Sequence, residues 1–303
     1  MIRWLLAFAS LFLVPVTASA ATPDNGRFVT YDQPSATLGS AKVTIWLPPG
    51  YDRDKGRRYP VLYMHDGQNV FDPKRSGFNK VWAADKAALQ LIRARKVAPF
   101  IIVAVDHPGP ARYLRYFPTR VADPKLLAGI EGFAKGKTQG DDYLAFLADT
   151  VKPAVDKAYR TKPTPRYTAT AGSSMGGLIS LYALGERPDV FGKAAAVSIH
   201  WILVDPATSA GLKPVILADW KNWIDNRLGA PRGRKLWMDH GTRTLDASYR
   251  PYSEPVEGYL AGAGWARGKD FESKVYEGAE HEENSWARRL PEIFGWLLSD
   301  WRP

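Results

Sequence analysis

The chain has 303 residues, no cysteine and a formal net charge of +10, with 45% hydrophobic and 24% charged residues. That length and balance suit one large α/β domain with an ordinary buried core, and they do not fit a disordered chain. The lack of cysteine excludes a disulfide framework, a cysteine nucleophile, a thiolate metal site and a lipid anchor on cysteine.

The first residues are Met1-Ile2-Arg3, an apolar run from Trp4 to Val14, and Ala18-Ser19-Ala20 before Ala21. A basic end, a short apolar centre and a small-x-small site make the pattern of a secretory leader, residues 1–20. The run is shorter than the ~20 residues a membrane span needs, and Pro15 interrupts it. The expectation is export to the periplasm or beyond, with one domain over residues 21–303 and no membrane span in the mature chain. Loss of Arg3 leaves a formal charge of +9. The basic residues are scattered, with no run beyond Arg57-Arg58 or Arg288-Arg289. A generally basic surface is therefore expected, without a nucleic-acid site.

Residues 22–40 look like an extended lead-in segment. Lys42–Leu47 alternates and ends at Pro48-Pro49-Gly50, as a half-buried strand does. Val61–Met64 and Phe100–Val105 are continuous apolar runs, which fit strands buried on both faces of a parallel sheet. Tyr167–Ala171, Ala194–Val197, Leu236–Met238 and Phe271–Tyr276 continue the series. Helical spacing lies between them, at Val81, Ala84, Ala88, Leu91 and Ile92, and at Tyr143, Phe146, Leu147, Thr150 and Val151. Ile293, Phe294, Trp296 and Leu297 form the last helical face. Such alternation implies βαβ units, hence a mostly parallel central sheet with helices on both faces. Residues 106–140 and 200–233 read as loops or caps over a site.

The strongest chemical signal is Gly172-Ser173-Ser174-Met175-Gly176-Gly177. It follows a strand pattern directly and opens the helical run Leu178–Leu184. Only Ser174 sits at the centre of a G-x-S-x-G frame. A strand that turns at once into a helix holds its serine in strained dihedrals, with room only for very small neighbours. Ser174 is the expected nucleophile.

An unaided serine is a poor nucleophile, so a base must accompany it. On such an elbow the chain order is serine, acid, histidine. Among His65, His107, His200, His240 and His281, only His281 follows the final strand pattern and precedes the last helix. His240 is second choice. The orienting acid belongs in the loop after Leu236–Met238, where Asp239 and Asp246 both qualify and Asp246 is preferred. The oxyanion hole is expected from the backbone N–H groups of Met175 and of Gln68, in the loop after Val61–Met64.

Together these stretches resemble the esterase family of α/β-hydrolases that includes siderophore esterases, feruloyl and acetyl-xylan esterases, and S-formylglutathione hydrolases. The likeness rests on Tyr63–Asp72, Ala171–Leu178, Pro188–Gly192, and His281 with Trp286. It implies an α/β-hydrolase fold and an enzyme that cleaves carboxylic esters, without a cofactor or a metal. Two departures stand out. Relatives place the acid in a Gly-Thr-x-Asp/Glu pattern, whereas Gly241-Thr242-Arg243-Thr244 stands here, so the acid moves to Asp246 or is lost to a Ser–His dyad. Relatives also show Arg-x-x-Asp/Glu before an aromatic, whereas Arg112-Tyr113-Leu114-Arg115-Tyr116 stands here. Arg112 and Arg115 are thus expected to make a cationic side of the pocket, and Trp201 and Trp286 to line it. The expected substrate is a siderophore ester or a phenolic or acetyl ester of a sugar. Acyl transfer to a sugar, as in mycolyl-transferring relatives, and a non-catalytic binding module are the competing readings.

Overall fold

The computed structural model describes residues 24–122 and 138–302. The expected leader, residues 1–20, lies outside them. The strands are β1 (Arg27–Ser35), β2 (Gly39–Leu47), β3 (Val61–Met64), β4 (Ile101–Val105), β5 (Thr168–Ser173), β6 (Lys193–Val197), β7 (Lys235–Gly241) and β8 (Phe271–Tyr276). They form one sheet in the order β1-β2-β4-β3-β5-β6-β7-β8. The hairpin β1–β2 and the pair β2–β4 are antiparallel, and the other pairs are parallel.

The helices are α1 (Ala84–Arg93), α2 (Arg112–Tyr116), α3 (Gly140–Ala145), α4 (Lys152–Ala158), α5 (Met175–Glu186), α6 (Pro206–Trp223), α7 (Arg250–Gly262) and α8 (Glu283–Leu297). A π-helical stretch, Phe146–Val151, joins α3 to α4. Alternate residues of each strand feed two cores, as the two-residue period of a sheet requires. Trp46, Leu62, Met64, Ile102 and Ala171 pack with α1 and α8 on one face. Ile45, Val61, Tyr63, Val103 and Ala196 pack with α5, Trp220 and Trp223 on the other. A sheet buried on both sides explains why its strands read as apolar runs.

Two expectations change. The lead-in segment contains β1, an edge strand whose residues alternate between exposed and half-buried and whose Ser35 pairs Gly39 across the hairpin turn. Residues 200–233 contain α6, an 18-residue helix. Its start is specified by Asp205, whose carboxylate accepts the Thr208 N–H at 3.0 Å, and by Pro206 in the first turn. Pro214 and the scattered polar residues hid its periodicity.

The fold places the site by one feature. β3 lies between β4 and β5, so the loops after β3 and β5 leave neighbouring strand ends in different directions. A crevice opens there, outside the carboxyl ends of the strands.

Candidate active site

Ser174 stands where β5 passes into α5, with φ 57° and ψ −122°. Its backbone is over-determined: its N–H donates to Val197 O at 3.0 Å, and its carbonyl accepts from Leu178 and His200. The glycines of the motif have steric reasons. A Cβ on Gly172 would lie 2.7 Å from the Gly176 carbonyl carbon and oxygen, and one on Gly177 would lie 3.2 Å from Val197 O. Gly172→Ala should therefore cost roughly 1–3 kcal/mol of stability by overpacking. A urea titration beside an activity assay checks this, and unchanged stability would contradict the tight elbow.

His281 lies in the loop between β8 and α8. Its backbone N–H donates to Thr244 Oγ1 at 2.8 Å, and Glu282 caps α8 by accepting the Ser285 N–H at 2.8 Å. The imidazole packs edge-on against Trp286, with centroids 5.1 Å apart. Its Nδ1 lies 2.5 Å from Asp246 Oδ1. Asp246 is fully buried on the 3₁₀ turn Thr244–Ser248. Its other oxygen accepts from Ser198 Oγ at 2.6 Å and from the Gly241 N–H at 2.5 Å. Burial pushes the Asp246 carboxyl up, but its bonds from His281, Ser198 and Gly241 outweigh this and hold it below the ordinary value.

Asp239, the alternative acid, is also buried, but both its oxygens are engaged elsewhere. Oδ1 accepts from Arg289 Nη1 at 2.6 Å and the Ser198 N–H at 3.0 Å, and Oδ2 accepts from Trp237 Nε1 at 2.8 Å. His240 is likewise committed, to Gly241 O at 2.6 Å and Ser253 Oγ at 3.2 Å. His65 is held between Tyr143 Oη and Thr170 Oγ1 at 2.8 and 2.9 Å, and burial takes it down to about 4.

Ser174 and His281 share a cavity of about 420 Å³ whose lining also includes Asp66, Asn69, Phe78, Lys80, Arg112 and Trp286. Gln68 lies in a 3₁₀ turn between Asp66 and Asn69, and its side-chain oxygen accepts the His107 N–H at 3.1 Å. Gly67 within that turn sits so near β4 that a Cβ would lie 2.7 Å from the Val105 carbonyl carbon. Met175 begins α5, where the first N–H groups have no partner inside the helix.

The expected cationic side of the pocket is corrected. Arg112 lines the cavity, but its guanidinium grips the Asp66 carboxylate at 2.6 and 2.7 Å and reaches Ser173 O at 3.4 Å. Its charge is neutralised where it stands, and it ties the β3 loop to the elbow. Arg115 does not line the cavity: it is buried, donating to Gln139 Oε1 and Leu38 O. Trp201 is also absent from the lining. It is fully buried and packs edge-on against Trp220 of α6, with centroids 5.0 Å apart. Trp286 does line the cavity, mainly as the wall behind His281, and its Nε1 donates to Ser198 Oγ at 2.9 Å. Sequence reasoning missed Ser198 and Arg289, which hold Asp246 from behind, and Phe78, Lys80 and Glu283 in the cavity lining. No local motif marks them.

Residues 35–297 match the family model described as "Putative esterase". The endo-1,4-beta-xylanase/feruloyl esterase of Xylanibacter ruminicola is 30% identical over 259 residues, 83% of this chain and 28% of that protein. The siderophore triacetylfusarinine C esterase of Aspergillus fumigatus is 25% identical over 205 residues, 62% of this chain and 64% of that protein. The chain thus spans less than two thirds of the length of either relative. An IroE-like serine hydrolase from Shewanella oneidensis shares the fold at a TM-score of 0.66 and 18% identity, over 88% of this chain and 80% of that one. With the family model covering nearly all of the sheet and both ends of the site, this chain belongs to that esterase family.

Proposed function

We propose that the chain is an exported serine esterase that works through an acyl-enzyme, with Ser174 as nucleophile, His281 as general base and Asp246 as orienting acid. The observation that carries this reading is the 2.5 Å contact between His281 Nδ1 and buried Asp246, beside the elbow that presents Ser174. Asp246 keeps the proton on Nδ1, which leaves the Nε2 lone pair for the Ser174 hydroxyl. Ser174 Oγ attacks the ester carbonyl while its proton passes to Nε2, and Asp246 stabilises the imidazolium. The developing oxyanion takes the Met175 and Gln68 N–H groups. The proton on Nε2 then goes to the departing alcohol oxygen, and water repeats the sequence on the acyl-enzyme.

The charges at the mouth favour an uncharged phenolic or acetyl sugar ester over a polyanionic ferric siderophore. Among the described lining residues, Arg112 is bound to Asp66, and Lys80 to Glu282 at 3.1 Å. Glu283 lines the cavity and accepts from Asn69 Nδ2 at 3.2 Å, which places its carboxyl to meet a sugar hydroxyl. Phe78, 75% exposed at the mouth, offers an apolar face. A panel of feruloyl-sugar, acetyl-sugar and ferric siderophore esters tests the choice. The sugar esters should have the highest kcat/KM, and a preference for the siderophore would overturn it.

Export rests on the pattern of residues 1–20. The protein recovered from the periplasm or medium of its host should begin at Ala21, which N-terminal mass analysis reads. No helix among the described residues is long and apolar enough to cross a membrane.

A further inference from the structure

A second cavity, of about 500 Å³, lies at the other end of the sheet from Ser174. Pro60, just before β3, and Ala98 and Pro99, just before β4, line it, so it opens at the amino ends of these strands. The crevice that holds Ser174 lies at their carboxyl ends. The charged lining is Arg57, Arg58, Lys162 and Arg302, with Asp54 as the one carboxylate among the described lining residues.

The backbone holds these cations together. The segments that carry Arg58 and Lys162 are joined by the Tyr59 N–H to Arg160 O at 2.7 Å and by the Lys162 N–H to Tyr59 O at 2.8 Å. Arg58 Nη1 donates to Thr161 O at 3.3 Å, and Lys162 Nζ stands 4.6 Å from the centroid of the Tyr167 ring. The Ala98 N–H donates to Trp301 O at 2.6 Å, and buried Trp301 donates from Nε1 to Arg166 O at 3.0 Å. These bonds anchor the chain just before Arg302.

Like charges gathered in a concavity repel one another, and low-dielectric walls focus their field. Elsewhere the surface pairs its cations, as in Arg27 with Asp52 at 2.7 Å, Lys42 with Asp32 at 2.9 Å and Arg187 with Asp149 at 2.9 Å. Here Asp54 serves Arg57 at 3.6 Å, and Asp300, two residues before Arg302, is turned to Lys193 at 2.8 Å. Arg58, Lys162 and Arg302 have no carboxylate partner among the described residues.

We propose that this cavity binds an anionic sugar unit, the uronate or sulfated residue of a polysaccharide, and so holds a polymeric substrate at a distance from Ser174. Its volume falls within the roughly 300–1,000 Å³ of small-molecule sites. Pro60 and Pro99 offer apolar surface to a sugar ring beside the cations that would meet its charge. The exposed large hydrophobic side chains, Phe28, Phe78, Val215 and Val275, lie outside the lining, and no aromatic ring belongs to it. A membrane surface and stacked nucleic-acid bases are both poorer fits for that reason.

The choice of a sugar rests on the reading of the substrate as a sugar ester, and the test separates the two. Calorimetry on the full chain with trigalacturonate and with a sulfated disaccharide should show one-site binding of at least one of them, weakening as salt rises. Fully methyl-esterified trigalacturonate should not bind. Arg58→Gln and Lys162→Gln should each weaken binding roughly tenfold. Both variants should keep the parent's thermal midpoint and its kcat/KM for p-nitrophenyl acetate within twofold. Equal binding of the methyl ester, equally tight binding of inorganic phosphate or of a single-stranded oligonucleotide, or undiminished binding in both variants would overturn the proposal. A protein that binds trigalacturonate yet cleaves no sugar ester would instead overturn the reading of the substrate.

Discussion

Ser174→Ala should lower kcat for ester hydrolysis by roughly 10⁴- to 10⁶-fold and leave the fold in place. In the proposed mechanism the hydroxyl forms the acyl bond, and no neighbouring group stands at the elbow to replace it. Ser173 precedes it on β5 and is buried in the strand, where its carbonyl meets Arg112. The backbone bonds that hold the turn belong to Val197, Leu178 and His200, and alanine keeps all of them. The variant should therefore match the parent in circular dichroism and closely in urea midpoint. Residual activity above one per cent, in protein free of parental enzyme, would contradict this.

The second large effect concerns the acid. Asp246→Asn should lower kcat by about 10⁴-fold, because the amide presents N–H to His281 Nδ1 and selects the tautomer whose Nε2 carries the proton. That Nε2 has no lone pair for Ser174. The buried amide would also meet the Gly241 N–H and lose the charge that Ser198 and Gly241 satisfy. Asp239→Asn should behave differently. Its partner Arg289 is 3% exposed, so removing the charge leaves a buried cation poorly paired and costs about 3–5 kcal/mol of stability. Its effect on kcat of the folded protein should stay below about tenfold. Thermal melts and chromogenic assays on both variants read the two effects separately. A dead Asp239→Asn beside an active Asp246→Asn would move the acid to Asp239. If both stayed active, a Ser174–His281 dyad would be the better description.

The two aspartates show where the sequence stops being legible. Both follow the same strand pattern, and the sequence favours Asp246 only because it lies further out from the strand end. What separates them is that β7 runs on to Gly241, so Asp239 is still within the strand and faces Trp237 and Arg289. The chain then doubles back through a turn with Thr244 at φ 54°, which brings Asp246 beneath His281. That reversal has no signature in the composition. The elbow was legible because steric crowding demands glycine at fixed places, and the buried strands because a two-faced sheet demands apolar runs.

The misplaced Trp201 and the unrecognised α6 have one cause. Trp201 was expected to line the site, and residues 200–233 to form loops or caps over it. The helix formed there supplies Trp220, which packs on Trp201 and donates its N–H to Trp201 O at 3.1 Å, drawing the residue into the core. Arg115 fails for a related reason. A five-residue helix turns Arg112 onto Asp66 and sends Arg115 toward Leu38 in the β1–β2 hairpin, a strand pairing that the lead-in segment did not reveal.

The central claim is that Ser174 is made nucleophilic by His281, and covalent labelling reads this directly. A fluorophosphonate should attach to a single residue, Ser174, in peptide mass mapping of the parent enzyme. Its rate of attachment should fall by at least 10³-fold in His281→Ala and change little in His240→Ala, whose imidazole is bonded to Gly241 and Ser253. Label on Ser173, or undiminished labelling of Ser174 in His281→Ala, would contradict the account.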